Sequence, residues 1–148
     1  MNNSDLIKIA LEARKFSYSP YSGFSVGSAL LCKDGSVFSG CNIENSAFSP
    51  TNCAERTAIF KAVSEGKREF LKIAVVGGES SEDIPDNYCS PCGVCRQVMK
   101  EFCSSDFEII IAKTIAIIAI TKLVRRRFDA LVILSTVKLS IKVFITSA

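Results

Sequence analysis

The sequence contains no histidine, and this absence limits the chemistry that the chain can perform. Cysteine and carboxylate side chains must therefore fill the roles of general base, proton shuttle and metal ligand. The chain also lacks an unbroken run of roughly 18 apolar residues, the length that a membrane-spanning helix needs. Its formal net charge is only +3, without a long run of one sign. The composition thus argues against a membrane protein and gives no reason to expect a nucleic-acid binder.

Seven cysteines are present, and they are unevenly spaced. The first residues lack the basic-then-apolar pattern of a secretory signal, which predicts a cytoplasmic location. In that reducing compartment, clustered cysteines bind metal more often than they form disulfides. With 148 residues, 48% of them hydrophobic, the chain has room for one domain with a substantial core.

Strand-like and helical patterns alternate along the chain and predict an α/β layered sheet. A first helix is expected after Ser4 or Asp5, both suitable N-caps, and it extends to about Phe16. Ser90 and Pro91 are typical of an N-cap and a first-turn proline, and they predict a helix that runs to residue 102. The other predicted elements are strands 24–32 and 37–41 around an Asp34-Gly35 turn, loop 42–52, helix 53–65 closed by Gly66, strand 71–76, loop 77–88 and strand 107–112.

Three cysteines lie at the predicted starts of two helices. Cys53 opens the segment Cys-Ala-Glu, and Cys92 and Cys95 belong to Pro-Cys-Gly-Val-Cys. The unpaired backbone N–H groups and the dipole of a helix start favour the thiolate, which is the form that binds metal. A spacing of three places Cys92 and Cys95 on one helical turn. Three protein ligands leave the fourth tetrahedral position of Zn²⁺ for water, as in catalytic sites.

Two charged residues that follow Cys53 extend this pattern from metal binding to catalysis. Glu55 can take a proton from the water and hand it to a substrate, the general acid/base role that histidine cannot fill here. Three thiolates leave the site formally negative, which weakens activation of the water. Arg56 is expected to offset this charge by donating hydrogen bonds to the thiolate sulfurs.

The combination of Cys-Ala-Glu at 53–55 with Pro-Cys-x-x-Cys at 91–95 resembles the zinc nucleoside deaminases. Phe-Ser-Val-Gly at 24–27, Gly-Cys-Asn-Ile-Glu-Asn at 40–45 and residues 53–66 are similar to the small cytidine deaminases in particular. The resemblance covers about residues 4–113. It implies a three-layer α/β/α fold with a mixed sheet of about five strands, and hydrolytic deamination of cytidine and deoxycytidine at C4 in pyrimidine salvage, with ammonia release. Glu55 would protonate N3 and later the leaving amine.

The resemblance also implies substrate contacts and an assembly state. In the family, the residue that matches Phe24 packs against the pyrimidine, and those that match Asn42 and Glu44 hold the ribose hydroxyl. The backbone near Ala54 reads the base. Members with three cysteines are homotetramers whose active sites lie at subunit interfaces. The expected partners are therefore a nucleoside substrate and further copies of the chain, with no nucleic acid and no membrane.

Other interpretations of the cysteines remain open. A thioredoxin-like pair would use only Cys92 and Cys95, and it leaves segment 53–55 unexplained. A closed structural zinc site would need Cys89 or Cys103 as a fourth ligand, and the chain would then be a non-catalytic, zinc-stabilised binding protein. The cysteines expected to be small core residues are Cys32, Cys41 and Cys103.

The nearest alternative activity is deamination of another aminopyrimidine nucleoside, such as a blasticidin-type antibiotic. The segment Asn-Ile-Glu-Asn at 42–45 favours ordinary nucleosides over that substrate. Phe24 alone would be typical of a core residue, and Glu44 alone of a solvated loop charge. Only their motifs make them candidate substrate contacts.

Residues 114–148 differ in composition from residues 1–113. They hold six basic residues and one acidic residue and contain neither proline nor glycine, whereas residues 1–113 hold 12 basic and 14 acidic residues. Family members usually continue with a strand and a Leu-Leu-Pro segment whose nearby phenylalanine reaches a neighbouring active site, and neither Phe128 nor Phe144 matches it. One interpretation is a divergent tail of the same domain, with a fifth strand at 115–120 and a strand-like segment near 131–134. The other is a frameshift near Thr114.

The gene distinguishes these two interpretations of the tail. If the frameshift is correct, translation of one of the other frames beyond codon 113 will give a Leu-Leu-Pro-like continuation. A foreign tail exposes apolar, β-prone segments, so we then expect aggregation and an impaired tetramer around an intact zinc site. The absence of such a continuation from both other frames rules the frameshift out.

Overall fold

A computed structural model of the protein describes residues 1–112. The elements are α1 (Asn3–Arg14), β1 (Phe24–Cys32), β2 (Val37–Cys41), α2 (Ala54–Ser64), β3 (Phe70–Glu79), α3 (Gly93–Phe102) and β4 (Glu108–Ile111). Strand β1 pairs antiparallel with β2 and β3, and β3 pairs parallel with β4, so the described sheet is mixed and has the order β2-β1-β3-β4. None of the helices in this part of the chain is long and apolar enough to cross a membrane. The predicted strand at 115–120 and the segment near 131–134 lie outside the described residues.

Helices cover both faces of the sheet, which confirms the predicted three-layer α/β/α fold. Successive strand residues point to opposite faces, so the neighbours Leu30 and Leu31 belong to two different cores. One core packs α1 against the sheet through Leu6, Ile7, Ala10, Ala29, Leu31, Ala74, Val76 and Ile110. The other packs α2 and α3 through residues that include Leu30, Ile59, Ile73, Val75 and Met99.

The first helix begins earlier than the sequence predicted. Asn2, rather than Ser4 or Asp5, is the N-cap, and its Oδ1 accepts the backbone N–H of Asp5 at 2.8 Å. Asparagine caps a helix as well as serine or aspartate does. With Asn2 as the cap, Asp5 lies in the first turn, where its negative charge interacts favourably with the helix dipole. The helix ends at Arg14, two residues before the predicted end.

The start of α3 also differs from the prediction. Cys92, rather than Ser90, is the N-cap, with an extended backbone at φ −69° and ψ 169°, so Pro91 lies outside the helix. Cys53 caps α2 with nearly the same backbone, at φ −80° and ψ 156°. Neither cysteine side chain bonds to the N–H groups of its own helix. Both sulfurs are therefore available to a ligand in front of the helix starts.

Strand β3 is longer than the predicted strand 71–76. It continues through Gly77 and Gly78, which pair with Val26 and Ser25 of β1. Glycine is uncommon inside strands, so the pair favours the predicted loop 77–88 over a longer strand. A Cβ at Gly77 would lie 2.8 Å from the Sγ of Cys89, so the missing side chain lets the following connection fold back onto the sheet.

The start of α2 packs directly against the sheet. The Oγ of Ser28 donates a buried hydrogen bond of 2.8 Å to the carbonyl of Ala54, the first residue of the helix. A Cβ at Gly40 would lie only 2.4 Å from the same carbonyl oxygen, so glycine permits this close approach. Because Cys53 and Glu55 flank Ala54, these contacts fix both of them against β1 and β2.

Candidate metal centre and active site

The three cysteines that the sequence singled out meet in front of α2 and α3. The Sγ atoms of Cys53 and Cys92 are 3.8 Å apart, and all three sulfurs, including that of Cys95, lie within 4.8 Å of one another. Cys53 is half-buried, Cys92 is exposed and Cys95 is buried in the first turn of α3. The cluster therefore lies at the protein surface, with its deepest sulfur covered and its shallowest open to solvent.

The spacing of these sulfurs suits a tetrahedral zinc ion. With a Zn–S bond of about 2.3 Å, tetrahedral ligands lie about 3.8 Å apart. The distance between Cys53 and Cys92 has this value, 3.8 Å. Within residues 1–112 no fourth cysteine, aspartate or glutamate joins the group. The residues fit Zn²⁺ with three protein ligands, the arrangement that keeps one position open.

One of the three thiols is set up as a thiolate. A hydrogen bond from the Cys95 thiol, with further bonds from Arg56 and Cys92, lowers the pKa of Cys53 to about 5 against the opposing effect of burial. The same shared proton, together with burial, raises the pKa of Cys95. The Nη2 of Arg56 lies 3.7 Å from the Cys53 sulfur and donates to the carbonyl of Thr51 at 2.9 Å. The Cys53 sulfur therefore lies beside a guanidinium, which stabilises its thiolate.

Cys89 lies near the cluster but outside it. Burial raises the pKa of the Cys89 thiol to about 11, and its sulfur faces Gly77 instead of the other three sulfurs. Cys103 is partly buried against the core, where burial raises its pKa to about 12, and Cys32 is a core residue as expected. Among the described residues, the geometry gives the closed four-cysteine site no fourth ligand.

Cys41 differs from the core position expected for it. It is half-buried on the edge strand β2, and its thiol donates to the carbonyl of Phe16 at 3.3 Å. It lines a cleft of about 440 Å³ between α1, β2 and α2, together with Phe16 and Lys61. None of the residues predicted to bind metal or substrate lines this cleft, so it is separate from the cysteine cluster.

Glu55 is buried beside the cysteines. Only 4% of its surface is exposed, and it is the second residue of α2, two positions after the N-cap Cys53. Burial raises the pKa of its carboxyl, and the negative charge of Cys53 acts in the same direction. The environment thus makes the Glu55 carboxylate more basic than an exposed one, at a position next to the candidate metal ligands.

Asn42 and Phe24 are linked through the backbone of β1. The Oδ1 of Asn42 accepts the N–H of Val26 at 2.7 Å and the hydroxyl of Ser17, while its Nδ2 donates to the carbonyl of Phe24 at 2.9 Å. The ring of Phe24 lies against Gly77, since a Cβ there would be 3.0 Å from its Cε1. The Asn42 amide therefore holds the strand start that carries Phe24.

Glu44 is bound to the turn that follows α1. Its Oε2 accepts the backbone N–H groups of Tyr21 at 2.9 Å and Ser22 at 3.2 Å. Hydrogen bonds from Ser22 and Tyr21 lower the pKa of this carboxyl. The sequence analysis missed these partners, although the turn-rich segment 18–23 shows where free backbone N–H groups could occur.

The sequence analysis also missed Arg14. It is buried, and its guanidinium bonds to four backbone carbonyls. A signal for it was present, because Arg14 follows Ile7 and Ala10 at the helical spacing that predicts the buried face of α1. However, basic residues are common in the last turn of surface helices, where they interact favourably with the helix dipole. Arg14 therefore does not stand out in the sequence as a buried residue.

Comparison with known proteins agrees with this geometry. Residues 1–113 match the family model described as the cytidine and deoxycytidylate deaminase zinc-binding region. A cytidine deaminase of Halalkalibacterium halodurans is 53% identical over 109 residues, 74% of this chain and 78% of that protein. The 1.6 Å crystal structure of cytidine deaminase from Burkholderia pseudomallei is similar with a TM-score of 0.69 and 46% identity, covering 76% of this chain and 85% of that one. A blasticidin-S deaminase of Bacillus cereus is 32% identical over 108 residues, 72% of this chain and 76% of that protein.

Replacing Cys53, Cys92 or Cys95 with alanine should remove zinc, because each supplies one of three sulfurs. Cys89→Ala should retain about one zinc per chain and full activity, because its sulfur lies outside the cluster. Metal analysis of the purified variants, with folding checked by circular dichroism, measures this, and Cys103→Ala is the matched control. Loss of zinc from Cys89→Ala would instead support a closed structural site.

Proposed function

The chain belongs to the cytidine and deoxycytidylate deaminase family, and we propose that it hydrolyses cytidine and deoxycytidine to uridine and deoxyuridine with release of ammonia. The observation that carries this proposal is the meeting of three cysteine sulfurs, all within 4.8 Å of one another, beside the buried carboxyl of Glu55. Metal ligands and a proton carrier in one place are what hydrolytic deamination requires. The relatives that share more than half of their aligned residues with this chain support cytidine over antibiotic substrates.

Cys53, Cys92 and Cys95 would hold the zinc ion, which when bound supplies a water molecule that loses a proton near neutral pH. Arg56 lies beside the Cys53 sulfur and offsets part of the negative charge of the three thiolates. This placement matters because three uncompensated thiolates would make the metal a weaker Lewis acid.

Glu55 is the residue that moves protons in this proposal. Its carboxyl takes a proton from the attacking water and delivers it to N3 of the pyrimidine as the C4–O bond forms. It then takes the second proton from the new C4 hydroxyl and delivers it to the amine, which leaves as ammonia when the C4–N bond breaks. Its burial and the neighbouring charge of Cys53 raise the pKa of the carboxyl, so the carboxylate accepts a proton from water more readily than an exposed glutamate does.

Four residues would bind the nucleoside. The ring of Phe24 would pack against the pyrimidine, and the backbone N–H of Ala54, among the first of its helix and so without an intrahelical partner, would read the base. Asn42 and Glu44 would hold the ribose hydroxyl. For Glu44, the two amide bonds of the turn to Oε2 orient the carboxylate.

The enzyme would act as a homotetramer in the cytoplasm, within pyrimidine salvage. Exposed aromatic side chains support an interface, since Phe48 is 94% and Phe16 is 79% exposed in the single chain. All seven cysteines are free thiols, which suits a reducing compartment. Residues 1–113 would form the deaminase domain, with 114–148 as its divergent C-terminal strand and tail.

The proposal is tested by supplying the purified, metal-analysed protein with cytidine, deoxycytidine and blasticidin S and measuring ammonia release. We expect ammonia from the first two. Release from blasticidin S alone would support the antibiotic deaminase. A zinc-loaded protein that releases ammonia from none of the three would support the non-catalytic binding protein.

Glu55→Gln should lower turnover of cytidine by more than ~100-fold, because an amide cannot take or deliver the proton. Zinc should stay near one per chain, since Glu55 lies outside the group of ligating sulfurs. Glu65→Gln, an exposed position at the other end of α2, is the matched control and should keep full activity. Loss of zinc from Glu55→Gln would make this residue a ligand and contradict the assigned role.

Glu44→Ala should weaken binding of cytidine with little change in zinc content. Removing a hydrogen bond to a charged group costs ~1.5–3 kcal/mol, which is roughly 10- to 150-fold in affinity. Glu44→Gln keeps an oxygen acceptor for Tyr21 and Ser22 and so tests the charge without opening the turn. Glu69→Ala, which removes a surface partner of Lys33, serves as the control. An unchanged Michaelis constant in both Glu44 variants would show that the ribose assignment is wrong.

A further inference from the structure

Arg14 is a buried charged residue that has no part in the chemistry proposed above. Only 6% of its surface is exposed, and its guanidinium donates to four backbone carbonyls. The Nε donates to Ser25 at 3.0 Å, the Nη1 to Glu82 at 2.6 Å, and the Nη2 to Gly78 at 3.1 Å and to Glu79. One side chain at the end of α1 therefore joins the start of β1, the end of β3 and the connection between β3 and α3.

These bonds are formed on the face of the sheet opposite to α2 and α3. Helix α1 lies close enough to the sheet for these bonds because residue 27 is glycine. A Cβ at this position would lie 2.5 Å from the backbone nitrogen of Arg14. The carbonyls at this end of the sheet would be costly to bury without donors, and the planar fork of an arginine supplies several at once. An apolar side chain of similar size would fill the same space but leave these carbonyls unpaired.

The segments that Arg14 joins carry Phe24 and two residues beside it, Gly77 and Cys89. We call these three residues the base-binding wall, in which the Phe24 ring alone would contact the pyrimidine. Ser25 directly follows Phe24, and Gly78 directly follows Gly77, against which both the Phe24 ring and the Cys89 sulfur pack. The connection that Arg14 holds at Glu82 leads on to Cys89. The relative placement of these three residues thus depends on segments that a single guanidinium holds together.

Three serine hydroxyls reinforce the same junction. The Oγ of Ser25 lies 3.1 Å from that of Ser19 and 2.8 Å from that of Ser80, and Ser19 and Ser80 are 3.0 Å apart. The backbone N–H of Ser80 also donates to Gly23 at 2.7 Å. The start of β1 is therefore tied to the β3–α3 connection by side chains as well as by the sheet.

We propose that Arg14 is a positioning residue for nucleoside binding, which acts by holding the base-binding wall in one arrangement. The inference rests on the proposed function, because it takes Phe24 as the residue that packs against the pyrimidine. Arg14 does not touch the substrate. We expect Arg14 to have no effect on the rate of the chemical step, because Cys53 and Glu55 are fixed by the separate contacts of α2 with Ser28 and Gly40.

Arg14→Lys is the informative variant, because it keeps the charge and most of the aliphatic chain but cannot span four carbonyls with one nitrogen. We expect the KM for cytidine to rise roughly 10-fold, the loss that one hydrogen bond to a charged group can cause, with kcat and zinc content nearly unchanged. Hydrogen exchange should speed up at the amides of Ser80 and Glu82, which donate to Gly23 and Glu79.

Two controls separate positioning from stability. Arg68→Lys makes the same change at an exposed arginine whose Nη1 donates to the carbonyls of Val63 and Lys67. Ile109→Val removes a methylene from the core away from the wall. If Arg14→Lys lowers the melting temperature as Ile109→Val does but leaves KM unchanged, or if it loses zinc, the positioning role is wrong.

A binding measurement tests the inference without turnover. Calorimetry gives the Kd of cytidine for zinc-loaded Glu55→Gln enzyme with and without Arg14→Lys, and we expect the double variant to bind roughly 10-fold more weakly. Equal Kd values would overturn the positioning role even if the wild-type enzyme is an active cytidine deaminase. Wild-type protein that binds cytidine but releases no ammonia would overturn the proposed function while leaving the difference in Kd to support the role of Arg14.

Discussion

The structure depends on one constraint, that two helices must begin within reach of a single metal ion. Cys53 and Cys92 each occupy the N-cap of a helix, and their sulfurs are 3.8 Å apart. For the two helix starts to meet, α2 must lie directly on the sheet, which Gly40 permits and Ser28 secures. Because Glu55 lies two residues after Cys53, its buried carboxyl then lies beside the cysteine cluster.

The residues of the site fall into two groups that are held in different ways. The candidate metal ligands and Glu55 belong to the first turns of α2 and α3 or cap them, and they are fixed by helix packing. The proposed substrate contacts Phe24, Asn42 and Glu44 lie on a strand start and a loop, and they are fixed by hydrogen bonds to backbone groups. Changes in the second group should therefore affect binding more than the chemical step.

The sequence predicted the layered fold and the three-cysteine cluster because both have strong local signals. Alternating strand and helix patterns predict the layers. The segments Cys-Ala-Glu and Cys-x-x-Cys predict the three candidate ligands and the neighbouring Glu55. It did not predict Asn2 as the first cap, since several capping residues compete within one turn. The extension of β3 through Gly77 and Gly78 was missed because glycine carries no side-chain periodicity. Three of the four bonds of Arg14 join segments 64 residues or more apart in sequence, which no local pattern reveals.

X-ray absorption at the zinc edge of the full, substrate-free chain tests the central claim most directly, because it counts the atoms bound to the metal. An open catalytic site predicts three sulfur neighbours at about 2.3 Å and one lighter neighbour at about 2.0–2.2 Å. Four sulfur neighbours would mean that a further cysteine closes the site. That result would contradict the deaminase mechanism and leave a structural zinc centre in its place.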